Sequence, residues 1–266
     1  MVIHSMTLAL AQRGSQSTWE QSANPIFYTL AEIGPKVLTF VAVFCFVKAL
    51  VRWNRYRAMA VLGPDAQKRV HDALIAAEKR TVGEIVPVVL ERSDAHPGAR
   101  WLAALCTMLI GSTLLEAHLP WHLPHWLIAC QVGLGAVGFA AACWLPDLAR
   151  VFVFESRASE VAEEQAFQEF YRLGLHKTEA ATGVLIFVSL FERRVIVLGD
   201  EGIDAKVGEA HWAATREAIL SGIKRGALAD GLAEGIRRCG DELAQHFPWT
   251  TGDRNEIPDR VVIRAE

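Results

Sequence analysis

The chain has 266 residues, 52% of them apolar, and 27 basic against 30 acidic side chains leave a net charge of −3. Near-balanced charge without a stripe of Lys and Arg excludes an electrostatic grip on nucleic acid, and no nucleic-acid partner is expected. The mean hydropathy of +0.21 is high for a soluble domain; membrane segments account for the excess, and the length still allows a real core.

Residues 1–24 are polar and irregular. Ile26 to Val51 follows with an apolar centre, Val37 to Val47, bracketed by Lys36 and Lys48. A removable signal peptide would place its basic residues first and its small-residue cleavage site last, and that order is missing. Within an N-terminal segment 1–60, a transmembrane helix over residues 28–51 is expected, with both lysines snorkelling outward. An amphipathic helix lying on the membrane surface is the alternative.

Pro64 to Arg80 spaces Val70, Leu74 and Ala77 as a helix does, and Gly63-Pro64-Asp65 supplies its start. Glu84 to Leu90 is short and β-branched, so it reads as a strand; Pro87 removes one ladder donor and directs that strand toward an edge or a bulge. After a loop over Ser93 to Gly98 come two apolar runs, Trp101 to Leu119 and Pro124 to Leu145, joined by Pro120-Trp121-His122-Leu123. Each run is about 20 residues, enough to cross a hydrocarbon core of about 30 Å as a helix. A transmembrane hairpin over residues 99–146 is therefore expected to interrupt an α/β domain spanning 61–266.

Orientation follows from the basic residues. Arg52, Arg55 and Arg57 leave the first segment and Arg92, Arg100, Arg150 and Arg157 flank the hairpin base, whereas the tip has neither Lys nor Arg. The positive-inside rule puts the base and the domain in the cytoplasm of a bacterial inner membrane, and the tip on the opposite side.

Beyond the hairpin, Ser159 to Leu173 segregates Phe167, Phe170 and Tyr171 from its glutamates as an amphipathic helix. Val184 to Leu190 and Arg194 to Leu198 are uninterrupted apolar strands around Phe191-Glu192-Arg193, the pattern of a tight antiparallel hairpin. Because neither strand alternates, both faces of the sheet should be covered by helices. Lys206 to Lys224 and Leu228 to His246 are two further helices, Gly226 ending the first, and Asn255 to Ile263 reads as an extended return. The five cysteines show no metal spacing and serve as small hydrophobes, Cys239 on the inner side of its helix.

Thr81-Val-Gly-Glu-Ile, Gly174-Leu-His-Lys-Thr, Thr182-Gly-Val-Leu-Ile-Phe-Val-Ser-Leu, Glu192-Arg-Arg-Val, Gly202-Ile, His246-Phe-Pro and Asn255-Glu-Ile-Pro-Asp form an ordered set. Together they resemble the TPM domain family, in particular its bacterial branch with a membrane hairpin inserted after the first strand. The resemblance implies an α/β/α sandwich with a small mixed sheet. Family members include a thylakoid protein of photosystem repair, a lumenal protein reported as an acid phosphatase and an animal receptor auxiliary subunit. They share a fold and an association with membrane complexes more than they share a reaction. The segment before residue 60 is an extension that short hairpin members lack.

Three candidate sites stand beside plainer readings. The turn Gly199-Asp200-Glu201-Gly202-Ile203-Asp204 places the carboxylates of Asp200, Glu201 and Asp204 where they could hold Ca²⁺ through oxygen ligands. The resemblance implies metal binding by acidic residues in this region; the plainer reading has Asp204 capping the next helix within a solvated turn. His118, His122 and His125 surround the hairpin tip, where an interfacial role competes with metal binding. Ala129, Gly133, Ala136 and Ala140 form a small-residue face on the second run, with Gly135, Gly138 and Ala142 beside it, suited to packing on a partner helix.

Phosphatase chemistry would draw charge from His176, Lys177, Arg193 and Arg194, but the sequence has no P-loop, nucleophile motif or metal-binding His pair. The expected function is a non-catalytic accessory or scaffold protein that stabilises or helps assemble a membrane protein complex, photosynthetic or respiratory by analogy with relatives. The alternative is a membrane-tethered phosphatase or a divalent-cation-binding regulator.

Overall fold

The computed structural model describes residues 56–118, 124–178, 180–207, 212–251 and 255–265. The expected helix over 28–51 and the tip Pro120 to Leu123, with His122, lie outside the described residues, as do the side chains of His118, His125 and Asp204.

A single turn, α1 (Ala58–Val61), leads into α2 (Pro64–Glu78), which starts with a proline in the first helical position and buries Val70, Leu74 and Ala77 on one face. Strand β1 (Glu84–Leu90) follows and is buried throughout. Then come two long helices, α3 (Pro97–His118) and α4 (Pro124–Trp144), and a short one, α5 (Pro146–Val151). Helix α6 (Glu155–Arg172) returns the chain through a 3-10 turn at Leu175–Lys177 to β2 (Gly183–Ser189) and β3 (Arg194–Gly199). The remainder comprises α7 (Glu201–Asp204), α8 (Trp212–Lys224), α9 (Leu228–His246) and β4 (Val262–Arg264).

The four strands form one mixed sheet in the order β3-β2-β1-β4. β1 runs parallel to β2 over its full length, β2 is antiparallel to β3, and β4 lies parallel to β1 at Val88 to Leu90 only. β1 is thus an interior strand, which corrects the expectation that Pro87 places it at an edge or a bulge; the proline is tolerated because β4 pairs only beyond it. The Glu84 N–H donates toward β2 and the Ile85 N–H away from it, to Glu78, so by alternation the Pro87 nitrogen faces the β4 side one residue before that ladder begins.

Period-two alternation divides the sheet's side chains between two cores. Ile85, Val89, Val184, Ile186 and Val188 pack against α2, α8 and α9, whereas Val86, Val88, Leu90, Leu185 and Phe187 pack against α6. The result is the helix, sheet, helix layering of a TPM-like α/β sandwich. Two further expectations need correction. β3 is an edge strand whose Ile196 and Leu198 are only half-buried, so one sheet face is open there. The helix expected from Lys206 is not helical at Ala205 to Val207, a turn that follows the one-turn α7, and it is described from Trp212 onward.

Helices α8 and α9 approach through glycine: a Cβ on Gly222 would lie 2.4 Å from the Cα of Gly231. Gly222→Val should destabilise the full chain by about 1–3 kcal/mol in a detergent micelle, read by thermal melting, because backbone on both sides leaves no flexible atom to yield. An unchanged melting temperature would refute the close contact.

Glu78 links α2 to the C-terminal return. Burial, and then hydrogen bonding to Asp259 with Glu84 nearby, pushes its carboxyl up to about 9. An acid whose folded pKa is raised keeps a proton that the unfolded chain has lost, so stability is highest near pH 5 and declines toward pH 9. Melting temperature should fall over that window, and Glu78→Gln should flatten the slope; an equal slope in the variant would exclude Glu78 as its source.

Candidate functional site

The carboxyl ends of the parallel strands β1 and β2 meet the base of the α3/α4 hairpin, and the side chains there form a buried polar joint. Leu190 and Phe191 donate their N–H groups to the carbonyls of Leu90 and Glu91, both at 3.0 Å, which carries the β2 end past β1 and into the turn Phe191-Glu192-Arg193. Arg193 takes a left-handed conformation, φ 56°, to close that turn.

Glu192 is fully buried at the centre of the joint. One carboxylate oxygen lies 2.6 Å from His96 Nε2; the other accepts the Ser93 N–H at 3.0 Å and the Ser189 hydroxyl, to which the Ser93 hydroxyl donates in turn. Burial alone raises the Glu192 carboxyl, but these donors outweigh it and hold the group below the usual carboxylate range. An ionised carboxylate only accepts, so His96 donates through Nε2.

His96 immediately precedes α3, is itself left-handed at φ 46°, and is anchored again by its N–H to Asp94 at 3.2 Å. Phe191, 1% exposed, fills the space beneath, with the rings of Tyr56 and His96 at 5.7 and 5.4 Å and the Arg92 guanidinium over its face at 4.4 Å. Ala99, Ala103, Ala142 and Ala149 from the hairpin base complete this third core. Tyr56 donates to Asp147 at 2.5 Å and accepts from Arg193 at 3.1 Å, tying the chain entering the domain to the chain leaving α4.

Mechanically this arrangement braces the sheet against the hairpin. Ser189 and His96 both engage Glu192 and not each other, so the imidazole is not placed to take the serine proton. In the sequence Glu192 stands out only as a turn residue that opens the motif Glu192-Arg-Arg-Val, and His96 not at all, since the two lie 96 residues apart with no local pattern joining them.

The acidic turn lies at the other end of the sheet, beyond β3. Asp200 caps α7, accepting the Glu201 N–H at 2.9 Å, which corrects the expectation that Asp204 is the cap; Asp204 sits inside that single turn. Glu201 is exposed, and among the described residues no three His, Cys, Asp or Glu side chains converge as a metal site would require. Asp200 and Glu201 instead border an open cleft of about 930 Å³ along the half-covered side of β3. His176 and Lys177 form the 3-10 turn, and Arg194 is bound to Glu155 and Ser159.

On the hairpin, a Cβ on Gly138 would lie 2.9 Å from the Ala103 carbonyl, and Ala142 is buried, so this seam joins α4 to α3. Ala129, Gly133 and Ala136 are exposed and Ala140 half-buried, and a Cβ on Gly133 would meet nothing within 4 Å.

Fold and joint together define an α/β/α domain with a helical hairpin inserted between its first two strands. The family model of the TPM domain matches residues 149–242. That match begins just past the hairpin, while β1 and α2, which complete the same sheet and core, precede it. The NMR structure of BA42 protein from the psychrophilic bacterium Bizionia argentinensis is similar at 22% identity, covering 75% of this chain and 93% of that one, with a TM-score of 0.47. None of the curated proteins matches the chain.

Glu192→Ala should lower stability by about 3–5 kcal/mol, since it strands several buried donors, while Glu192→Gln keeps an acceptor and should cost distinctly less. Thermal melts of the full chain in detergent would show this ordering; equal losses would mean that the carboxylate does not organise the joint.

Proposed function

We propose that this protein is a multi-pass inner-membrane accessory subunit, whose hairpin crosses the bilayer and packs on a partner membrane protein while the TPM domain covers the cytoplasmic face. Pro97–Leu115 and Leu127–Trp144 are long and apolar enough to cross a membrane, and only 11% of each is buried within the fold. Leu109, Ile110, Ile128, Val132 and Val137 point outward, as they would toward lipid. Trp101 and Trp144 are exposed at the hairpin base, the level at which indoles anchor to a membrane interface, and Val151 and Phe154 extend this apolar rim. Arg100, Arg150 and Arg157 lie on the same side, which supports a cytoplasmic base.

The observation that carries the partner reading is the pair of small-residue faces on α4. One is consumed by α3 at Gly138 and Ala142; the other, Ala129, Gly133, Ala136 and Ala140, is turned away from α3. In lipid, where no water is expelled on association, close backbone approach is what a second helix gains from such a face. A bracing joint suits this role, because it holds the domain in a fixed pose relative to the hairpin.

Mild detergent extraction followed by native gels and mass spectrometry tests the proposal. The wild-type chain should migrate in a larger assembly; Gly133→Ile should release it as a monomer with its melting temperature unchanged, whereas Gly138→Ile should damage the hairpin itself. A wild-type monomer under every mild condition, or full assembly of the Gly133→Ile chain, would contradict the proposal.

A further inference from the structure

Beside the hairpin base lies a second cleft, of about 550 Å³, between the β2–β3 turn and the end of α8. Among the described residues Arg193, Lys224 and Arg225 line it and no carboxylate does, while Leu190 and Ile223 supply apolar wall. Several arginines elsewhere are ion-paired: Arg237 and Arg238 with Glu234, and Arg150 and Arg194 with Glu155. Here Lys224 has no ion pair or hydrogen bond among the described residues, and the Arg225 guanidinium reaches only the Ser221 hydroxyl, at 3.2 Å. Arg193 touches Asp147 at 3.7 Å from outside the cleft and is held by the Tyr56 hydroxyl, so its planar fork is pre-oriented.

Depth selects the ligand. Asp147, the neighbour of Arg193, is three residues past the end of α4 at Trp144. Three residues of chain reach at most about 11 Å, which keeps Asp147 in or beside the headgroup layer of about 5–8 Å per leaflet that borders the apolar span. Resting on the membrane-spanning reading above, we propose that this cleft binds the phosphate of an anionic phospholipid headgroup. Arg193, Lys224 and Arg225 take the phosphate oxygens, and the apolar wall takes the glycerol ester and the first methylenes. A free phosphate would use the cations and leave that wall idle.

Native mass spectrometry of the full chain in nonionic detergent, titrated with dioctanoyl phosphatidylglycerol or dioctanoyl phosphatidylcholine, provides the test. The anionic lipid should bind at least about tenfold more tightly, and Lys224→Gln with Arg225→Gln should weaken it about 25-fold, at about fivefold per cation removed. Among the described residues neither side chain makes an ion pair or a long-range hydrogen bond, and the pair Arg237→Gln with Arg238→Gln on the opposite helix should leave binding unchanged. Equal retention of the two lipids, an unaffected Lys224/Arg225 variant, or displacement by inorganic phosphate at the lipid's own concentration would overturn the proposal. Alkaline carbonate extraction separates the two levels of inference: a chain released into solution overturns the spanning reading and this site with it, whereas a retained chain without lipid selectivity overturns the site alone.

Discussion

A carboxylate removed from water must be surrounded by donors or it would not stay ionised, and Glu192 is surrounded by three. They come from the loop leaving β1, from β2 and from the residue that opens α3, so one buried charge fixes the relative placement of sheet and hairpin. Satisfying it also explains a left-handed His96, a conformation that costs about 1–3 kcal/mol and persists only where its surroundings over-determine it. Tyr56, Asp147 and Arg193 add an outer ring of bonds around the same joint.

The joint gives the two halves of the molecule a common frame. Below it, α2, α8 and α9 cover one face of the sheet and α6 the other, leaving β3 half-covered at the edge. Above it, α4 spends one small-residue face on α3 and keeps another turned outward. The outward face and the two exposed indoles belong to the hairpin, and the unneutralised cations at the end of α8 lie beside its base. The acidic turn belongs to the far end of the sheet, where Asp200 serves a helix start.

Periodicity made much of this legible in advance. Glu84 to Leu90 and Leu228 to His246 have the bounds expected of them, because a buried strand and an amphipathic helix write their environment into a short window. Their layering followed from the unbroken apolar strands, and the TPM resemblance from an ordered set of short motifs. What stayed hidden depends on pairs distant in the chain. Glu192 meets His96 across 96 residues and Tyr56 meets Asp147 across 91, and neither leaves a local signature. The open side of β3 was hidden for a related reason: an edge strand keeps the same apolar composition as a central one, and only the sheet order reveals which it is. Asp204 and Asp200 were equally good caps by residue type, and the geometry of one turn chose between them.

The central claim is that the hairpin rising from this braced joint crosses the bilayer. It is tested most directly by thiol labelling of Trp121→Cys and Arg150→Cys, each in an otherwise cysteine-free full chain, in sealed inner-membrane vesicles of known orientation. The account predicts that a membrane-impermeant maleimide applied from the cytoplasmic side modifies position 150 and spares position 121 until the vesicles are opened. Equal modification of both positions in sealed vesicles would contradict it.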